Sequence, residues 1–126
     1  MKNSSVLQMV IRIAGLIQLV LGVIVWTGTA DALIMIHALI GSIFTIALFT
    51  VTYQAYRADV LPWLVILTAV WALVLPVWGL AQEKIFPESY FWIAQILHVL
   101  CGIGAIGLAE MLSAQMRKKS AAAVRA

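Results

Sequence analysis

The segment LPWLVILTAVWALVLPVWGLA, residues Leu61–Ala81, runs without a charged residue. A helix needs about 20 predominantly apolar residues to cross a hydrocarbon core roughly 30 Å thick. Because a helix satisfies its backbone hydrogen bonds within one segment, it is the natural structure for such a stretch in lipid. This segment therefore predicts a membrane-spanning helix.

Three further apolar stretches of similar length flank this segment: Val6–Trp26, Ala32–Tyr53 and Tyr90–Ser113. The connections between the four stretches are short, so consecutive helices should be antiparallel neighbours. The expected fold is an all-α membrane protein, a four-helix bundle with up-down-up-down topology. Residues 1–116 should form this single transmembrane domain, and residues 117–126 a basic cytoplasmic tail that frays.

The composition excludes the water-soluble classes of protein. Apolar residues make up 64% of the 126 positions and charged residues 10%, against roughly 45–50% and about 25% in soluble domains. Cys101 is the only cysteine, which excludes a disulfide scaffold. A net charge of +3 would indicate nucleic acid only if the basic residues formed one patch on a folded surface, and their placement beside the apolar stretches points to a membrane instead. The expected surroundings are a lipid bilayer.

The distribution of positive charge predicts the orientation of the bundle. Seven of the eight Lys and Arg residues fall on one side of the predicted helices, and only Lys84 falls on the other. Cytoplasmic segments of membrane proteins carry an excess of Lys and Arg. Both termini are therefore expected in the cytoplasm. The expected location of the chain is a bacterial plasma membrane.

Several polar residues within or beside the spans have expected structural roles. Arg12 and Glu110 should lie at similar depth on neighbouring helices and form an ion pair. Gln18 and Gln95 are candidates for hydrogen bonds between helices. Asp59 is expected to start the third helix, because Asp is a favourable residue at helix N-termini.

A short repeat places the only two histidines of the chain. Residues 36–41 read IHALIG and residues 97–102 read LHVLCG. His37 lies 20 residues before Arg57, and His98 lies 19 residues before Arg117. At about 1.5 Å per residue, the two imidazoles should be level to within roughly 2 Å. In an up-down-up-down bundle, the second and fourth helices face each other across the core.

The surroundings of the two histidines predict a metal-centred cofactor. Neighbouring helix axes are about 8–10 Å apart, so the diagonal of the bundle is about 11–14 Å, which suits two imidazoles with a metal between them. Gly41 and Gly102 follow the histidines by four residues on the same helix face and leave hollows for a flat macrocycle. Gly22 on the first helix and Trp78 on the third lie near the same depth.

Two histidines on the second and fourth helices, each with a nearby glycine, resemble the haem-ligating arrangement of membrane b-type cytochromes, such as respiratory cytochrome b. The resemblance covers the four helices as a pattern. It implies that His37 and His98 are the axial ligands of one haem b, with iron as the metal. Respiratory cytochrome b carries two stacked histidine pairs and this chain has one, so electron transfer across the whole membrane is not implied.

The function expected from this resemblance is one-electron transfer near the extracytoplasmic side. Membrane quinol and an extracytoplasmic redox protein are the expected partners, or the chain is the haem subunit of a respiratory complex. The haem propionates should point to the nearer surface, where Lys84 is the only expected cation. No catalytic constellation is present in the sequence, so an electron carrier or subunit is expected rather than an enzyme by itself.

Other interpretations of the histidines remain open. Each imidazole can instead hydrogen-bond a neighbouring helix, in which case the chain is a cofactor-free assembly or transport subunit. Each can also bind the magnesium of a chlorophyll-type pigment. A closed zinc site usually needs four ligands, so two histidines are too few for one.

Overall fold

The computed structural model describes residues 2–28 and 32–125, and these residues form four α-helices with no strand. The all-helical prediction is therefore confirmed for this part of the chain. A short 3-10 turn, Glu88–Tyr90, precedes the last helix. The helices are α1 (Lys2–Trp26), α2 (Ala32–Arg57), α3 (Pro62–Ile85) and α4 (Phe91–Arg125).

Each of the four helices is long and apolar enough to cross a membrane. Their outer surfaces carry many large apolar side chains, of which Met35 and Leu80 are about four-fifths exposed, at 80% and 78%. An apolar surface of this extent is rare on soluble monomers and marks contact with lipid or protein. The predicted bundle of four membrane-spanning helices agrees with this architecture.

The helices pack around a ring in the order of the chain. α1 contacts α2, α2 contacts α3, α3 contacts α4, and α4 closes the ring against α1. α2 and α4 also contact each other across the diagonal. The two helices that carry the histidines are therefore direct neighbours in space.

The interior is closely packed in the half of the bundle that contains the start of α1 and the α2–α3 turn. Small residues are fully buried there, among them Ala55, Ala72 and Ala105. Small side chains allow helix backbones to approach closely, which favours helix association in lipid. Larger side chains such as Leu48 and Leu64 fill the remaining space and are also fully buried.

An ion pair joins α1 to α4 at this end of the bundle, as the sequence predicts. Arg12 donates from Nε to one carboxylate oxygen of Glu110 at 2.6 Å and from Nη2 to the other at 2.8 Å. Gln8 donates from its side-chain amide to the same carboxylate at 2.6 Å, and Arg117 donates to the side-chain Oε1 of Gln8 at 3.0 Å. The Glu110 carboxylate of α4 therefore accepts three hydrogen bonds from two residues of α1.

Asp59 ends α2 and does not start α3, so the expectation for this residue was wrong. Its φ is 52°, and the amides of Asp59 and Val60 donate to the carbonyls of Tyr56 and Ala55 at 3.0 Å each. These two bonds define a Schellman motif, in which the residue after the helix adopts the left-handed conformation. Leu61 takes the N-cap position of α3, followed by Pro62 in the first turn.

The last helix continues past the expected end of the fourth span at Ser113 and through the basic segment expected to be a frayed tail. Residues 114–125 contain no Gly or Pro and consist largely of good helix formers. A helix of 35 residues is roughly 50 Å long, longer than a hydrocarbon core. Lys119 connects this extension of α4 to the α2–α3 turn. Its ammonium donates to the Asp59 carbonyl and lies 3.2 Å from the Asp59 carboxylate.

Candidate functional site

His37 of α2 and His98 of α4 face each other inside the bundle. Their ring centroids are 6.3 Å apart, and the ring planes are inclined by 58°. Both side chains are half-buried. The two residues that the sequence pairs by depth are thus also paired in space.

The separation of the two rings is compatible with a single metal ion between them. An imidazole nitrogen binds a transition metal at about 2.0 Å and lies about 1.1 Å from its ring centroid, so two rings on opposite sides of one metal have centroids about 6.2 Å apart. The observed 6.3 Å matches this value. The inclination of 58° is no obstacle, because each ring can rotate about its own bond to the metal.

A cavity of about 300 Å³ surrounds the histidines, in the half of the bundle away from the α2–α3 turn. This volume falls at the lower end of the range for ligand sites, about 300–1,000 Å³. All four helices contribute to its walls. The lining includes Gly15, Gln18, Gly22, His37, Gly41, Ser42, Pro76, Gly79, Gln82, Glu83, Gln95, His98 and Gly102.

A glycine on the preceding helix stands opposite each imidazole. A Cβ atom on Gly22 would lie 3.4 Å from Cε1 of His37, and one on Gly79 would lie 3.0 Å from Cε1 of His98. Gly22 was expected at this depth, but Gly79 was missed. Its position one residue after Trp78 could have revealed it, because Trp78 was already assigned to the histidine level.

The two glycines that follow the histidines also line the cavity, but side chains of α1 cover both. A Cβ atom on Gly41 would lie 2.6 Å from Nε2 of Gln18, and one on Gly102 would lie 3.9 Å from Cδ2 of Leu19. The hollow at Gly41 is therefore filled by the Gln18 amide. At Gly102 there is room for a methyl group in ordinary contact.

Among the described residues, four buried side-chain polar atoms have no hydrogen-bond partner: Gln18 Oε1, His37 Nδ1, Gln82 Oε1 and His98 Nδ1. All four belong to residues that line the cavity. Leaving a buried polar group unpaired costs about 1–3 kcal/mol. Their concentration in one place is typical of a site that a ligand or water completes.

Trp78 and Lys84 lie outside the cavity lining. The indole N–H of Trp78 donates to the Ala94 carbonyl at 3.2 Å, and the ring packs edge-on against Phe86 with centroids 5.7 Å apart. Trp78 thus joins α3 to α4 beside the site. Lys84 is an exposed residue in the last turn of α3, and the adjacent Glu83 reaches the cavity in its place.

Within residues 2–28 and 32–125, no three His, Cys, Asp or Glu residues come together as potential metal ligands. No known protein family, curated protein or solved structure matches the chain. The function must therefore be argued from the geometry of the site.

Proposed function

We propose that this chain is a membrane b-type cytochrome that binds one haem b between His37 and His98. The observation that carries the proposal is the 6.3 Å separation of the two imidazole centroids at a cavity lined by all four helices. Bis-histidine ligation needs this spacing, and ordinary contact between two rings does not require it. Gly22 and Gly79 support the proposal, because they leave the imidazoles free of Cβ atoms on the adjacent helices.

Different residues of the chain would have different roles at the proposed haem site. His37 and His98 would each hold the haem iron through Nε2, and the apolar walls of the bundle would exclude water. Haem with both axial positions filled has no open position for oxygen and takes up or releases one electron. Such a site supports electron transfer rather than substrate chemistry.

The proposed orientation places the α1–α2 and α3–α4 connections outside the cell. It rests on the excess of Lys and Arg at the other end of the bundle, where seven of the eight are found. The cavity is then nearer to the extracytoplasmic surface of a bacterial plasma membrane. Membrane quinol and an extracytoplasmic redox protein are the proposed electron partners, either directly or within a respiratory complex.

The test is the spectrum of the purified protein from haem-sufficient cells. The wild type should be red, with a sharp reduced-minus-oxidised α band, and His37→Ala and His98→Ala should each lose the six-coordinate low-spin spectrum while remaining in the membrane. Thr50→Ala is the matched control, because Thr50 lies on the same helix as His37 but outside the cavity lining, and its hydroxyl donates to the Ile46 carbonyl at 2.8 Å. Its spectrum should match that of the wild type.

Other results would select the alternative functions. A colourless wild-type protein would favour a cofactor-free assembly or transport subunit. Mass spectrometry of an extracted pigment distinguishes haem from a chlorophyll-type magnesium tetrapyrrole. Two single mutants that both keep a wild-type haem spectrum would remove His37 and His98 as ligands.

A further inference from the structure

The four unpartnered polar atoms of the cavity have complementary hydrogen-bonding chemistry. When Nε2 of a neutral histidine binds a metal, its Nδ1 carries the proton and is a donor. The Oε1 atom of a glutamine amide can only accept. The cavity therefore holds two prospective donors and two acceptors, in equal number and all buried.

Each glutamine lines the cavity together with the histidine of its own helical hairpin. In α1 and α2, the Gln18 amide lies against Gly41, which is one turn from His37 on the same helix face. In α3 and α4, the Gln82 amide donates to the Gly79 carbonyl at 3.4 Å, and Gly79 stands opposite the His98 ring. The pairs that geometry favours are thus Gln18 with His37 and Gln82 with His98.

We infer that Gln18 and Gln82 are positioning residues that accept a hydrogen bond from Nδ1–H of His37 and His98, respectively, when the imidazoles serve as ligands. This inference rests on the proposed haem site. The bonds are not formed in the present arrangement, but a glutamine side chain reorients through three rotatable bonds. The bond that now holds the Gln82 amide is long, at 3.4 Å, and its loss costs little.

The proposed bonds would fix the tautomer and raise the basicity of both ligands. Metal-ligating histidines almost always donate their second N–H to an acceptor, and loss of that acceptor typically costs about 10–100-fold in metal affinity or activity. A more basic axial ligand stabilises oxidised iron more than reduced iron. Both glutamines should therefore hold the midpoint potential of the haem down.

The experiment is a redox titration of the purified full-length protein carrying Gln18→Leu, Gln82→Leu or both substitutions. Leu has a volume similar to Gln but no acceptor, so each variant should have a higher midpoint potential. A tenfold change in the relative affinity for oxidised and reduced haem corresponds to about 59 mV in a one-electron couple. Gln18→Glu and Gln82→Glu keep an acceptor oxygen with a stronger charge, and each should lower the potential.

The controls separate this inference from the proposed function. Thr50→Ala removes a hydroxyl from α2 outside the cavity lining and should leave the potential unchanged, because this hydroxyl is already bonded to the Ile46 carbonyl at 2.8 Å. If the Leu variants do not fold or do not retain haem, the Glu variants test the inference through the direction in which their midpoint potential shifts. Wild-type potentials in both Leu variants or in both Glu variants, or an equal shift in Thr50→Ala, would overturn the inference while leaving the haem site intact. A wild-type protein without a bis-histidine spectrum would overturn both.

Discussion

Gly79 stands directly opposite His98, and a Cβ atom on Gly79 would lie 3.0 Å from Cε1 of the imidazole. The same relationship joins Gly22 to His37 at 3.4 Å. In each hairpin, the first helix contributes a glycine and the second contributes a histidine. The repeat around the two histidines thus includes a glycine contact from the preceding helix in each hairpin.

Substitution of Gly79 should therefore disturb the site more than substitution of a glycine elsewhere. Overpacking a close-packed interior typically costs about 1–3 kcal/mol, and a leucine at position 79 would displace the His98 ring. We expect Gly79→Leu to lower haem occupancy, measured as the ratio of Soret to protein absorbance. Gly107→Leu is the matched control, because a Cβ atom at Gly107 meets nothing within 4 Å. Equal occupancy in both variants would show that Gly79 serves helix contact alone.

The sequence was sufficient to locate the four long apolar helices and to predict that the two histidines lie at the same depth along the bundle. Long apolar runs separated by charges are a strong signal, because lipid leaves few alternatives to a helix. The depth of His37 and His98 followed from counting residues to Arg57 and Arg117 at a fixed rise per residue. Neither step required knowledge of which helix face points inward.

The rotation of each helix about its axis was harder to predict. In a lipid-embedded bundle, the inner and outer faces are both apolar, so the pattern that orients a helix in a soluble protein is weak. Gly79 and Gln82 were missed for this reason, and Trp78, which was expected near the depth of the histidines, bonds to α4 beside the cavity. Asp59 was misassigned because Asp is common at helix starts and is also tolerated in the left-handed conformation.

The ion pair between Arg12 and Glu110 should stabilise the contact between α1 and α4. Glu110→Gln removes the charge that accepts two hydrogen bonds from Arg12, so the melting temperature in detergent should fall. Arg12→Lys should also lower it, because an ammonium cannot reproduce the two-pronged contact of a guanidinium. In a double-mutant cycle, the combined Arg12→Ala and Glu110→Ala substitutions should cost less than the sum of the single ones. Strict additivity would show that the pair is not coupled.

The end of α2 offers a test of backbone conformation that does not depend on any cofactor. Asp59 has a φ of 52°, a region that costs a residue with a side chain roughly 1–2 kcal/mol and glycine almost nothing. We expect Asp59→Val to lower the melting temperature relative to Asp59→Gly. Both variants lose the Asp59 carboxylate that contacts Lys119. The difference between their melting temperatures therefore reflects the cost of the backbone conformation at position 59. Equal melting temperatures would mean that the turn relaxes to another conformation.

The last prediction concerns the propionates of the proposed haem, which are costly to bury without partners. They should point to the nearer end of the bundle, where α3 ends, and Lys84 is a cation in that last turn. Lys84 is exposed and does not line the cavity, so it would act from the rim on the charge of the haem as a whole. Replacing a positive by a negative charge there stabilises oxidised haem, so Lys84→Glu should lower the midpoint potential.

Lys118→Glu makes the same change of charge at the far end of α4 and should shift the potential less, because exposed charges beyond about 10 Å are largely screened at 0.1 M salt. Equal shifts in the two variants, or none at position 84, would contradict this orientation of the propionates.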